Sequence, residues 1–177
     1  MKPFQQLRAL LLPIVVAGIV PAILLFLNRK MPGWQLSLPW TWLAFGLGLL
    51  LAGAGLALLA ATIRSFARIG GGTLAPWDPP RKLVVRGSYR RVRNPMISGV
   101  FAVVLGEALV FLSLPVFVWF LVVVLVNLIY IPLAEEPGLA RRFGEEYLEY
   151  KKNVPRWIPR LRPWQPGGES LEEKDGQ

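Results

Sequence analysis

Four apolar runs, each about as long as a bilayer is thick, constrain this chain more than any other feature. They cover about Ala9–Leu27, Trp40–Ile63, Met96–Leu114 and Pro115–Ala134. A helix needs roughly 20 apolar residues to cross about 30 Å of hydrocarbon, and only helices and closed barrels satisfy their backbone there. The spacing predicts an all-α integral membrane protein with about four transmembrane helices. Composition agrees: 54% of the 177 residues are hydrophobic and 18% are charged, with a net charge of +9. A soluble chain this basic and aromatic would point to nucleic acid; here the charge sits between apolar runs, which points to a membrane instead. The first run follows Lys2 and Arg8 but precedes Asn28-Arg29-Lys30 and has no small-residue cleavage pattern, so it reads as a retained span.

Basic residues set the expected orientation. With both termini in the cytoplasm, eighteen Lys and Arg lie inside and two, Arg29 and Lys30, lie outside, as the positive-inside rule requires. The domain then runs over 1–164, with a cytoplasmic loop at 64–95 and a cytoplasmic tail at 135–164. In the tail, Leu139, Phe143, Tyr147, Tyr150 and Val154 recur at helical spacing, predicting amphipathic helix broken at Gly144. Pro, Trp and Arg then alternate in a segment suited to the membrane interface. Residues 165–177 are polar and are expected to be disordered. In the loop, Trp77 and Tyr89 suit the headgroup region.

The absence of His and Cys excludes thiol nucleophiles, His general bases and the usual zinc sites. Charge is concentrated at two places. One is Arg93-Asn94-Pro95-Met96-Ile97-Ser98-Gly99, after Arg86, Arg90 and Arg91. Asn is a favoured helix N-cap and Pro a favoured first helical residue, so this reads either as a cap with a lipid-binding flank or as a carboxylate or phosphate receptor. The other is Glu135-Glu136, at the end of the fourth apolar run. A short turn at Ser113-Leu114-Pro115 predicts an antiparallel hairpin. That hairpin brings Arg93-Asn94 level with Glu135-Glu136, facing groups suited to a zwitterion. Inside the third run, Glu107 costs on the order of 3 kcal/mol to insert. It lies about 20 Å along the helix from Asn94, so it is either structural or part of an acceptor pocket. Asn127 and Tyr130 are nearer the Glu135 end. They line an acceptor channel or, for Asn127, make an interhelical hydrogen bond.

The combination R-N-P-M-x-x-G, an apolar hairpin, and E-E-P-x-L-x-x-x-F-G-x-E-Y-x-x-Y-x-x-x-V-P-R-W-I-P resembles the isoprenylcysteine carboxyl methyltransferase and phospholipid methyltransferase superfamily, over roughly Gly70 to Pro163. The resemblance implies a multi-pass membrane enzyme that uses S-adenosylmethionine to methylate a lipid or lipophilic small molecule at the cytoplasmic face. It places Arg93, Asn94, Pro95 and Gly99 on the family's first motif and Glu135 and Glu136 on its paired-glutamate motif, as cofactor-binding residues; Tyr89, in the loop just before them, is a further cofactor-binding candidate. Gly53-Ala54-Gly55 is the candidate for a G-x-G of the phospholipid branch, although small residues at this spacing also serve helix packing. Asn94 and Ile97 stand where the commoner motif has His and Tyr. In this reading Asn127, Tyr130 and Glu107 are the candidates for the acceptor, by their positions in the hairpin and with the structural alternatives above still open. Methyl transfer from a sulfonium needs positioning and desolvation rather than a metal. Two other readings are an NADPH-dependent membrane reductase of the sterol-reductase type and a non-enzymatic membrane protein in which the two motifs are a cap and an ion pair.

Overall fold

A computed structural model describes residues 11–30, 33–69 and 83–165, and every regular element among them is helical. We label the helices α1 (Leu11–Leu27), α2 (Leu38–Ile69), α3 (Pro95–Val110), α4 (Leu114–Tyr130) and α5 (Glu136–Asn153). A short 3₁₀ turn, Gly87–Arg90, precedes α3. Trp77 and the rest of 70–82 lie outside the described residues, as do 1–10 and 166–177.

Two helical runs are long and apolar enough to cross a membrane: Leu38–Ser65 in α2, and the run from Leu114 that continues through α5. α1 and α3 are apolar but shorter. With 16 residues, α3 is about 24 Å long, ending short of the expected Leu114. The reason is local. Leu112 takes a positive φ of 47°, outside the helical region. Ser113 donates its backbone N–H to the Ala108 carbonyl at 2.9 Å. The Ser113 hydroxyl then caps α4 by accepting from the Val116 N–H, with Pro115 in the first turn. Trp34 donates to the Leu112 carbonyl at 2.9 Å, so the segment after α1 is pinned to this turn. α3 and α4 form the expected antiparallel hairpin.

The closest packing is between α2 and α3, through glycines. A Cβ added at Gly48 would lie 2.8 Å from the Gly106 carbonyl oxygen, and one at Gly55 would lie 2.7 Å from that of Gly99. Such close backbone approach drives association where lipid removes the hydrophobic incentive. Val103, Val104, Ala108, Val116 and Val123 fill the space between α3 and α4, with Leu24 and Leu25 of α1 against them. Outside this core, Leu43, Leu50, Leu56, Leu125 and Val126 are exposed. An apolar surface of this extent suits lipid rather than water.

Prolines reshape two helices in the same way. In α1, the Val20 N–H reaches back five residues to the Val15 carbonyl. This leaves the Val16 carbonyl without its usual donor, and Pro21, next in line, has no N–H. The Trp119 indole of α4 supplies the missing hydrogen bond, at 2.9 Å. Between α4 and α5, the Glu136 N–H likewise reaches back to the Ile131 carbonyl, with Pro137 following. The helix expected to end near Ala134 therefore runs on through a π turn, Ile131–Glu135, into α5.

Candidate functional site

Each end of the hairpin contributes charge. α3 starts at Pro95 with Asn94 in the cap position, but the Asn94 side chain makes no capping hydrogen bond. Its backbone carbonyl accepts instead from the Ser98 N–H and hydroxyl, each at 3.0 Å. The capping role expected of the Asn94 side chain is not observed. Asn94 lines a partly open cavity of about 430 Å³ between α1, α3, α4, α5 and the loop before α3.

Glu136 is the electrostatic centre of this region. Its carboxylate is 4% exposed and meets three cations: Arg93 Nη1 at 2.9 Å, Arg156 Nε at 2.7 Å and Lys151 Nζ at 2.9 Å. The facing of Arg93 and the glutamate pair is thus a direct contact. Burial pushes the Glu136 carboxyl up. The hydrogen bonds from Arg156 and Lys151 and the charges of Arg93 and Arg156 together outweigh that and hold it below the ordinary carboxylate value.

Glu135 has the opposite environment. It lies beyond the apolar stretch that ends at Ala134, lines the cavity and has no ion-pair partner among the described residues. Burial and the neighbouring Glu136 charge raise its carboxyl above the ordinary value. Adjacent residues pushed in opposite directions mark a site where one carboxylate is structural and the other is available.

The remaining wall comes from Leu83, Val84 and Tyr89 of the loop before α3 and from Tyr147 and Tyr150 in the second half of α5. Gly144, at φ 54° and ψ −133°, breaks α5 where the sequence predicts a break. Beyond it, Tyr147, Tyr150 and Val154 are buried together against Leu83, Leu139, Phe143 and Trp164. The Tyr150 hydroxyl donates to the Tyr89 carbonyl at 2.7 Å. The segment from Val154 to Trp164, here called the strap, runs antiparallel to the loop. Arg93 N–H donates to the Pro155 carbonyl, Arg160 N–H to that of Arg91, and Trp164 N–H to that of Arg90, at 2.8–2.9 Å. Arg90 Nε returns a hydrogen bond to the Trp164 carbonyl at 2.6 Å. Arg93 Nε is buried without an acceptor among the described residues.

Of the residues singled out in the sequence, Tyr89, Arg93, Asn94, Glu135, Glu136, Asn127 and Tyr130 line the cavity. Pro95, Gly99, Gly53, Gly55 and Glu107 do not. Pro95 is buried in the first turn of α3. Gly99 and Gly55 face each other across the α2–α3 contact, and Gly53 is open, with nothing within 4 Å of a Cβ there. Glu107 lies far along α3 and has one buried carboxylate oxygen without a hydrogen-bond partner among the described residues. The Asn127 amide donates to the Val123 carbonyl of its own helix at 2.8 Å rather than across helices.

The cavity also holds residues the sequence did not single out for it. Arg142 is exposed at its rim and makes no ion pair among the described residues; its place one turn after Leu139, beside the apolar face of α5, was the only signal. Leu12, Pro13 and Val16 of α1 supply an apolar side. No pattern in sequence marks Lys151 and Arg156 as partners of Glu136, because the break at Gly144 and the reversal of the strap bring them there.

The cavity is therefore polar at the Glu135 end and apolar toward α1 and α4, with a volume in the range of small-molecule sites. A family model described as phospholipid methyltransferase matches residues 42–146, which contain most of α2, the hairpin, both charged motifs and the first part of α5. No curated protein matches the chain.

Proposed function

The chain belongs to the phospholipid methyltransferase family, a family of membrane methyltransferases, and on that premise we propose that it carries a methyl group from S-adenosylmethionine to a lipid or lipophilic acceptor at the cytoplasmic membrane face. In this reading α1 to α4 are four spans, both termini are cytoplasmic and α5 closes the site from the cytoplasm. The observation that carries the reading is a Glu135 carboxylate and an Asn94 side chain that have no ion-pair or capping partner among the described residues and share one cavity, beside an Arg93–Glu136 pair.

The residues fit the cofactor group by group. Among the described residues the buried Arg93 Nε lacks an acceptor and Arg142 has no ion-pair partner, which suits the carboxylate of the amino-acid end. Glu135 suits the ammonium or the ribose hydroxyls, and Asn94 offers both a donor and an acceptor. When bound, S-adenosylmethionine supplies an electrophilic methyl on a sulfonium. The chain's own part is to hold and to exclude water. Met96, Ile97, Val100, Val123 and Ile131 make the apolar wall, where desolvation favours a reaction that moves charge off sulfur. The acceptor enters along Leu12, Val16, Asn127 and Tyr130. An amine acceptor there loses its proton more readily than in water, because burial disfavours the charged form.

Titration calorimetry on the protein in nanodiscs tests this. The wild type binds S-adenosylmethionine. Asn94→Ala and Glu135→Gln each weaken binding about 10-fold or more, as expected for a hydrogen bond to a charged group, about 1.5–3 kcal/mol. Unchanged affinity in both variants, or binding of NADPH and not of S-adenosylmethionine, overturns it.

A further inference from the structure

The strap does more than brace the loop before α3. Trp157 stacks on Phe101 of α3, with ring centroids 5.4 Å apart and planes at 28°. Phe101 lies six residues into α3, about 9 Å along its axis. The strap thus reaches below the start of an apolar helix. Its next residues turn outward: Ile158 is 78% exposed and Leu161 is 92% exposed. No described residue covers them. Exposed basic residues lie on the strap and on the loop it pairs with. Arg162 of the strap and Arg86 and Arg91 of the facing loop are exposed and make no ion pair among the described residues. Arg156 and Arg160 are committed inside, to Glu136 and to the Asn153 carbonyl.

Two bare aliphatic side chains near a helix start have a specific complement, because Arg162 follows Leu161 directly and Arg91 is hydrogen-bonded to Arg160 through its carbonyl. We propose that the strap docks on the membrane itself, with Ile158 and Leu161 among the upper acyl carbons and Arg91 and Arg162 on the phosphates of anionic phospholipids. Apolar area supplies the insertion and basic residues supply the preference for acidic lipid. Arg and Trp suit this layer for the same reason, an apolar body with a polar tip. The inference rests on depth and charge alone and stands or falls separately from methyl transfer.

The chain contains no cysteine, so Leu161→Cys introduces a single thiol for a fluorophore. The labelled full chain is placed in nanodiscs with brominated acyl chains, either all phosphatidylcholine or one-third phosphatidylglycerol. Quenching is expected in the anionic disc, at least twofold stronger than in the neutral one. Adding Arg91→Glu and Arg162→Glu should abolish that difference. Both side chains are exposed, so the fold survives the change, and an Ile158→Cys probe gives a second reading of the same depth. Equal quenching in the two discs overturns the role of anionic lipid. No quenching in either, from both probes, overturns the docking altogether.

Discussion

Glu136 serves three cations with one carboxylate, and its value lies mostly in the buried part. Arg93 is 11% exposed beside it, whereas Lys151 is 44% exposed and contributes little through a screened contact. Glu136→Gln leaves the Arg93 guanidinium buried without its charge partner, so thermal unfolding in detergent should show a loss of about 3–5 kcal/mol. Lys151→Ala should lose less than about 1 kcal/mol. The two glutamates titrate in opposite senses. The Glu136 carboxyl is held low, so its contribution is complete above the unfolded carboxylate value near about 4.3 and is lost as pH falls through its lower folded value. The Glu135 carboxyl is held high, so its ionisation works against the fold as pH rises past the ordinary value. It also works for a cationic ligand. Affinity for S-adenosylmethionine should therefore rise with pH through the raised Glu135 value, and Glu135→Gln should flatten that rise; calorimetry from pH 5 to 8 reads both.

At the scale of elements, glycines with the same identity have different work. At Gly55 a Cβ would meet the Gly99 backbone oxygen at 2.7 Å, while at Gly53 it would meet nothing. Gly55→Ala should destabilise by about 1–3 kcal/mol, as overpacking does. Gly53→Ala should be neutral or slightly stabilising, since alanine is the better helix former. Paired melting curves decide it. Sequence spacing alone gives Gly53 and Gly55 equal standing, because the face of α2 that meets α3 depends on the partner helix. The hairpin was legible for a better reason. Asn94-Pro95 starts one helix, Ser113 and Pro115 start the next, and two helices of nearly equal length joined by a short turn must end level. The π turn at Ile131–Glu135 was not legible. It arises from Pro137 acting on a carbonyl five residues earlier, and it shifts the faces that Glu135 and Glu136 present. The capping reading of Asn94 failed: at φ −119° and ψ 58° its side chain accepts from no N–H of the first turn, and the residue lines the cavity instead.

The whole molecule is arranged along one axis, with the turn at Leu112 at one end and the charged cavity at the other. If the four apolar helices span, Ser37 and Lys152 lie on opposite sides of the membrane. In the cysteine-free chain, Lys152→Cys should react with an impermeant maleimide only from the cytoplasmic side and Ser37→Cys only from the other. Reaction of both from one side removes the four-span arrangement. The order of the Glu136 partners along the chain has a consequence in time. Arg93 is translated before the hairpin, but Lys151 and Arg156 leave the ribosome after every apolar helix has been made. A nascent chain can therefore lay down its apolar helices first, and the charged cluster around Glu136 is completed only when the strap emerges and folds back.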